Sequence, residues 1–310
     1  MNDLDIEKRR ELITSFSLKS GISPVFIERC MLFGDIIAFL TSDNYLSQFL
    51  VMKGGTVINF HYLDTPRMSN DIDFDFGKNI DFQGIEKECE IITEKLQKNT
   101  VLISNIVAFN KIPKGGSFSF EYRYFNINGV EESIFLDINF LKRIHILDYD
   151  NIVIQNKFVN HAVVKSLNIT EVMAGKIKVL LERRHAKDFF DVYNIIKSGV
   201  KLDKILLRKC IIYYNAISGK CDLDSINIDL LDMNRISFGG LVKMLAIPST
   251  IEVSSVIATV VRFLKEILII EEDERCFIND YRNHVYSPER LFDDVAIVKK
   301  LRNHPMALHI

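Results

Sequence analysis

Between Asn70 and Phe76 the chain reads NDIDFDF, and this stretch restricts the fold more than any other. Strict polar–apolar alternation is the period of a β-strand. Residues two apart share a face, so Asp71, Asp73 and Asp75 line one side while Ile72, Phe74 and Phe76 face the core. Carboxylates held close together repel, and a core does not tolerate them. Two arrangements relieve the conflict. The acidic face can turn to water, which is common at sheet surfaces, or it can hold a divalent cation. Mg²⁺ prefers oxygen ligands and is usually held by a few carboxylates plus substrate phosphate.

What precedes the strand favours the second arrangement. Residues 47–52 (SQFLVM) form a short apolar run that stops at Lys53-Gly54-Gly55-Thr56, and residues 56–63 suit a helix after the glycine turn. Paired glycines let backbone approach a ligand, and amides at a helix start favour phosphate. Lys53 adds a positive charge and Thr56 a hydroxyl. Glycine turn, short helix and acidic strand, in that order, set a phosphate cradle beside a metal site. Arg67 and Ser69 lie just before the strand. The fork of Arg67 suits a nucleotide phosphate, and it equally suits a neighbouring Asp.

A third carboxylate stands at the centre of an apolar run, Ile134 to Phe140 (IFLDINF). Lone charges are rarely buried unless they are paired or bind metal. On a strand beside Asp71 and Asp73, Asp137 completes a metal triad and can take a proton from an attacking hydroxyl. The alternative is an Asp that ends a strand or pairs with an arginine such as Arg143.

Around these motifs the chain divides. Pro24 starts a helix running to about Leu40, and residues 81–98 read as an amphipathic helix. Val101–Phe109, Ser117–Phe125 and Glu132–Phe140 are β-rich runs separated by turns, a meander that extends the first sheet. From about Ile169 helical periodicity dominates. The expectation is a mixed α/β (α+β) fold: a mixed-sheet domain over 1–160, then a mostly helical domain over 161–310 that contributes to the active-site cleft. The most apolar stretch, Ile251 to Ile270, is interrupted by four charges and reads as a core helix, not a membrane span. The charged start lacks the apolar run of a signal peptide. Five scattered cysteines form no metal or disulfide pattern, which points to a reducing cytoplasm. A net charge of −2 gives no global attraction to nucleic acid, so any such contact must be local.

Within the helical part, Ile169, Met173, Lys176 and Leu180 share one face, while Glu171, Lys178 and Glu182 fall opposite. Lys178 reads as an ordinary solvated lysine. Lys176, on the inward face, needs a carboxylate or phosphate partner or must snorkel to the edge. Asp188 and Asp191 are three apart on one helix face and can anchor it. The basic run Arg183 to Lys187 suits either phosphates or a solvated helix end.

Taken together, KGGT, RMSNDIDF, FLDINF and AGKIKVLLERRHAKDFFDVY resemble the AbiEii/AbiGii family of nucleotidyltransferase toxins, within the DNA polymerase β-like nucleotidyltransferase superfamily. Tyr286 to Phe292 and His304 to Leu308 are similar to that family's closing motifs. The chain departs at its end, where Leu-His-Ile replaces a tryptophan-containing terminus. The resemblance implies two-metal nucleotidyl transfer with Mg²⁺ or Mn²⁺. Asp71 and Asp73 would be the metal pair, Asp137 the third catalytic carboxylate, and Gly54, Gly55 and Thr56 the phosphate motif. Lys176 and Asp188 would be charged residues of a later motif. It also implies an NTP substrate, an RNA acceptor such as tRNA, a cognate antitoxin and a role in phage defence. The rival readings are transfer to a protein acceptor, a non-enzymatic NTP-binding regulator, and an interaction protein of the same fold without activity.

Overall fold

The computed structural model describes residues 3–69, 71–100, 106–156, 159–218, 223, 228, 236, 238–247 and 252–305. The chain forms two units. One comprises Met1–Leu141, Asn151–Ser166 and Met244–Pro248; the other comprises Lys142–Asp150, Leu167–Lys243 and Ser249–Ile310.

The first unit opens with helices α1 (Asp3–Ser20), α2 (Pro24–Ser42) and α3 (Asn44–Phe49). Pro24 occupies the start of α2, where its missing N–H costs nothing. Asp43 caps α3, accepting from the Tyr45 and Leu46 amides at 2.9 Å each. Strand β1 (Leu50–Lys53) runs into the short helix α4 (Gly54–Val57), which continues as a π-helical turn, Ile58–Tyr62. Next come β2 (Asp71–Phe76), α5 (Gly84–Thr100), β3 (Ile106–Pro113), β4 (Ser117–Phe125), β5 (Glu131–Asn139), β6 (Asp150–Asn156) and β7 (Val159–Ser166).

The seven strands form one sheet in the order β3-β4-β5-β2-β1-β7-β6. β3, β4 and β5 are the expected antiparallel meander. β5 joins β2 in parallel, and β1 pairs antiparallel with β2 and parallel with β7, so the sheet is mixed. Ile72, Phe74 and Phe76 are at most 2 % exposed, as the alternation requires. Burial of each such side chain contributes about 1.5–3 kcal/mol. β6 and β7 carry an alternation of their own. Ile152, Ile154, Ala162 and Val164 are buried while Asn151, Val153, His161 and Val163 are exposed.

The second unit holds α6 (Ile169–Arg183), α7 (Ala186–Ser198), α8 (Lys204–Ser218), α9 (Gly239–Val242), α10 (Val253–Ile267), α11 (Glu272–Arg282) and α12 (Val295–Leu301). Arg184 adopts a left-handed φ of 54° and ends α6, so the amphipathic run from 169 to 193 is two helices. Two expectations for α6 are corrected here. Lys178 is buried and pairs with Glu182 at 3.0 Å. Glu171 is also buried; it accepts the Ile146 and Leu147 amides at 2.9 Å each and the Tyr214 hydroxyl. The cause is packing on two sides: α7 and α8 both contact α6, whereas periodicity marks only the more apolar stripe.

The closing motif is a structural staple of this unit. The Tyr286 hydroxyl donates to the Leu301 carbonyl at 2.9 Å and lies 3.0 Å from the Tyr213 hydroxyl. Fully buried His304 packs edge-on against the Tyr213 ring. Asn70, residues 101–105, Cys221, Pro248 and residues 306–308 of the last motif lie outside the described residues. Among the described residues, no helix is long and apolar enough to cross a membrane.

Candidate active site

The site grows out of the pairing of β2 with β5. In that parallel register Asp73 stands opposite Asp137, and Asp71 opposite Phe135. Paired residues share a face, so the three carboxylates converge. Asp71, Asp73 and Asp137 each offer an oxygen, and these oxygens lie within 4.8 Å of one another. All three residues are half-buried. It is the one cluster of three or more candidate metal ligands among the described residues. Three carboxylate oxygens at this separation are a hard donor set of the kind Mg²⁺ or Mn²⁺ takes.

Asp75, the third acidic residue of the strand, takes no part. It is 1 % exposed and forms an ion pair with Lys53. The lysine read as a phosphate ligand is thus committed to a buried carboxylate on the same sheet.

Gly54 explains how Asp73 can sit where it does. Its φ is +73°, and a Cβ there would lie 2.4 Å from the Asp73 Oδ2 atom and 3.1 Å from its Cβ. A side chain at Gly54 would therefore displace the carboxylate itself, and the left-handed backbone adds its own strain. The turn places a glycine backbone directly against a metal-ligand candidate, with Gly55 next in chain at the start of α4.

The other residues expected to bind nucleotide form the frame of this turn. Fully buried Thr56 donates its hydroxyl to the Asp71 carbonyl at 2.8 Å, and Ser69 donates to the same oxygen at 3.0 Å. The two hydroxyls fix the start of β2, from which Asp71 projects. Arg67 is 2 % exposed and donates from Nη1 to the Met68 carbonyl at 2.7 Å. Its backbone bridges Leu245. Arg29 of α2 reaches the Ser69 carbonyl at 3.4 Å through Nε.

Asp137 has partners that sequence reasoning did not find. Ser119, its neighbour on β4, donates a hydroxyl to Oδ1. Lys114, in the β3–β4 turn, brings Nζ to 3.2 Å from Oδ1 and 3.3 Å from Oδ2. Neither contact has a signal in the local sequence, because both depend on the register of β4 against β5.

The second unit carries its own charged cluster. Lys176 lies 3.3 Å from Asp188 Oδ1 and 3.0 Å from Asp191 Oδ2, and Arg183 holds Asp188 through Nε at 2.8 Å and Nη2 at 3.0 Å. The inward lysine does have carboxylate partners, and both are fully buried. Burial pushes the Asp188 carboxyl up, but Arg183 and Lys176 outweigh it and hold the group below the usual carboxylate range.

Residues 38–292 match the family described as the nucleotidyl transferase AbiEii toxin of a type IV toxin–antitoxin system. No curated protein matches the sequence. Among solved structures, MenT4, a nucleotidyltransferase toxin from Mycobacterium tuberculosis H37Rv, is similar with a TM-score of 0.63 at 14 % identity. The alignment covers 96 % of this chain and 98 % of that one. At such identity the likeness is one of fold. An antigenic nucleotidyltransferase-like protein from Paracoccidioides brasiliensis aligns at 14 % identity over 64 % of this chain and 91 % of that one, and its TM-score of 0.36 carries no argument.

Proposed function

The chain belongs to the AbiEii family of nucleotidyltransferase toxins, and from that premise we propose that it transfers a nucleoside monophosphate from an NTP to a hydroxyl of an RNA acceptor, tRNA foremost, with Mg²⁺. The observation that carries the reading is the convergence of Asp71, Asp73 and Asp137 within 4.8 Å, with the backbone of Gly54 against Asp73.

The triad would hold the cation. When bound there, a divalent cation neutralises charge on the transferring phosphate and on the attacking oxygen. The chain's own residues supply position. Gly54 and Gly55 leave room for phosphate to approach the backbone, and Thr56 and Ser69 fix the strand that presents the carboxylates. The acceptor oxygen bonds to the α-phosphorus, the bond to the β-phosphate breaks, pyrophosphate leaves, and Asp137 takes the hydroxyl proton. Lys176 is bound to Asp188 and Asp191 within the second unit. Little covalent chemistry falls to the protein; alignment and electrostatics carry the rate. As a type IV toxin family member, the chain implies a partner antitoxin.

The test uses wild type, Asp71→Ala and Asp73→Ala with Mg²⁺, each of the four α-³²P-labelled NTPs, total tRNA and cell extract. Label on RNA from one NTP, lost in both variants while their circular dichroism is unchanged, is the expected result. Transfer surviving at the wild-type rate in both single variants overturns the assignment. Label on protein instead moves the acceptor from RNA to protein.

A further inference from the structure

Sheet order decides which substrate meets which side of the triad. β1, with the glycine turn, flanks β2 on one side; β5, with Asp137, flanks it on the other, and β4 lies beyond. If NTP phosphates sit at Gly54-Gly55, as proposed above, an acceptor hydroxyl reaches Asp137 from the β4 side.

Two side chains stand there that the transfer reading leaves unused. Lys114 reaches both Asp137 oxygens, at 3.2 and 3.3 Å. Phe135 pairs with Asp71 and precedes Asp137 by two, so its ring borders the carboxylates on their own face. The Lys114 ammonium lies 6.0 Å from the centre of that ring.

The β3–β4 turn is built to keep Lys114 in place. The Lys114 amide donates to the Ser117 carbonyl at 2.8 Å, and the Ser117 hydroxyl donates to the Lys114 carbonyl at 2.9 Å. The Phe140 amide at the end of β5 donates to the Gly116 carbonyl at 3.0 Å. Gly116 has a φ of +85°, and a Cβ there would lie 2.6 Å from the Leu141 side chain. The lysine side chain is nonetheless 47 % exposed. An ammonium has three donors, so two contacts to Asp137 leave capacity for a phosphate oxygen.

We propose that Phe135 and Lys114 dock the single-stranded 3′ end of an RNA acceptor. The ring stacks the terminal base, the ammonium takes the adjoining phosphodiester, and the terminal hydroxyl is delivered to Asp137. This rests on the transfer reading for the direction of approach. An exposed cation beside an aromatic ring is how single strands are held without regard to sequence. A protein acceptor would give Lys114 no phosphate and Phe135 no base.

The test measures binding of 5′-fluorescein-labelled tRNA by anisotropy from 50 to 200 mM salt for wild type, Lys114→Met, Lys114→Arg and Phe135→Leu. Equilibrium dialysis measures NTP binding in parallel, and melting curves check folding. Lys114→Met is expected to weaken tRNA binding about tenfold and lower the salt slope by about one, with Lys114→Arg restoring both. Phe135→Leu is expected to weaken it about tenfold with the slope unchanged. NTP affinity should hold in all three. Unchanged tRNA binding in Lys114→Met and Phe135→Leu overturns the proposal, as does a loss of NTP affinity in place of tRNA affinity. Wild type that binds tRNA with these dependences yet labels nothing keeps the docking and loses the transfer reading. Label on protein with no tRNA binding does the reverse.

Discussion

Asp71, Asp73 and Asp75 have the same chemistry and the same strand face, but Asp75 is 1 % exposed and bound to Lys53 while the other two stand half-buried with Asp137. Substitution separates the two situations. Asp75→Asn leaves the Lys53 ammonium against a neutral group and is expected to lower stability by about 3 kcal/mol, read from urea midpoints. Asp71→Asn relieves repulsion among three close carboxylates, so with cation removed its stability should equal or exceed wild type while transfer is lost. An Asp71→Asn protein as unstable as Asp75→Asn would make Asp71 a structural residue. Gly54→Ala brings a methyl into the Asp73 carboxylate at a left-handed φ. It is expected to abolish transfer and to cost about 1–2 kcal/mol; wild-type transfer rates in that variant would remove Gly54 from the site. The alternation and the glycine pair were legible in the sequence because both are local. The partners of Asp137 were not: Lys114 and Ser119 lie 23 and 18 residues away and arrive only through strand pairing.

At the level of elements, legibility followed the strength of periodicity. The strand at 71–76, β4, β5 and the helices at 24–42 and 84–100 carry clear patterns and form within a few residues of where the sequence puts them, whereas β3 runs on to Pro113, past the expected end at Phe109. β6 and β7 were missed because their alternation is short and mixed with Asn, Gln and Lys. The break between α6 and α7 falls in the basic run Arg183 to Lys187, as the helix-end reading of that run allowed, and it uses Arg184, not glycine, in the left-handed conformation. That break matters to the charge cluster. It turns the chain so that Arg183 at the end of α6 and Asp188 in the first turn of α7 form a two-point pair. Asp188 is held below its ordinary value of 3.8. A depressed carboxylate contributes stability above its unfolded pKa and loses it as pH falls through the folded one. The stability gap between wild type and Asp188→Asn should therefore be constant from pH 7 to about pH 5 and shrink below about pH 4. Urea midpoints across that range measure it, and a gap independent of pH would mean that packing, not charge, accounts for the cluster.

At the scale of the whole molecule, a chain 14 % identical to MenT4 aligns with it over nearly its full length. What two such sequences can share is the pattern of burial and a few backbone requirements, because most side chains have changed. A site with three converging carboxylates works against folding unless something offsets their mutual repulsion, and this gives the cation a thermodynamic signature separate from catalysis. Ligand that binds only the folded state stabilises it by about 2.7 kcal/mol at a hundred times its Kd. For a protein of this size that is a rise in Tm of about 5 °C. Mg²⁺ or Mn²⁺ titrated into EDTA-treated wild type should therefore raise Tm with saturation, without any NTP or acceptor present. Asp71→Asn and Asp137→Asn should each flatten the rise, since two carboxylates hold a divalent ion far less well than three. Asp75→Asn should shift the whole curve down and leave its slope with cation intact. A wild-type Tm indifferent to both metals would remove the triad as a cation site, and a rise that persists in Asp71→Asn and Asp137→Asn would move the cation elsewhere on the chain.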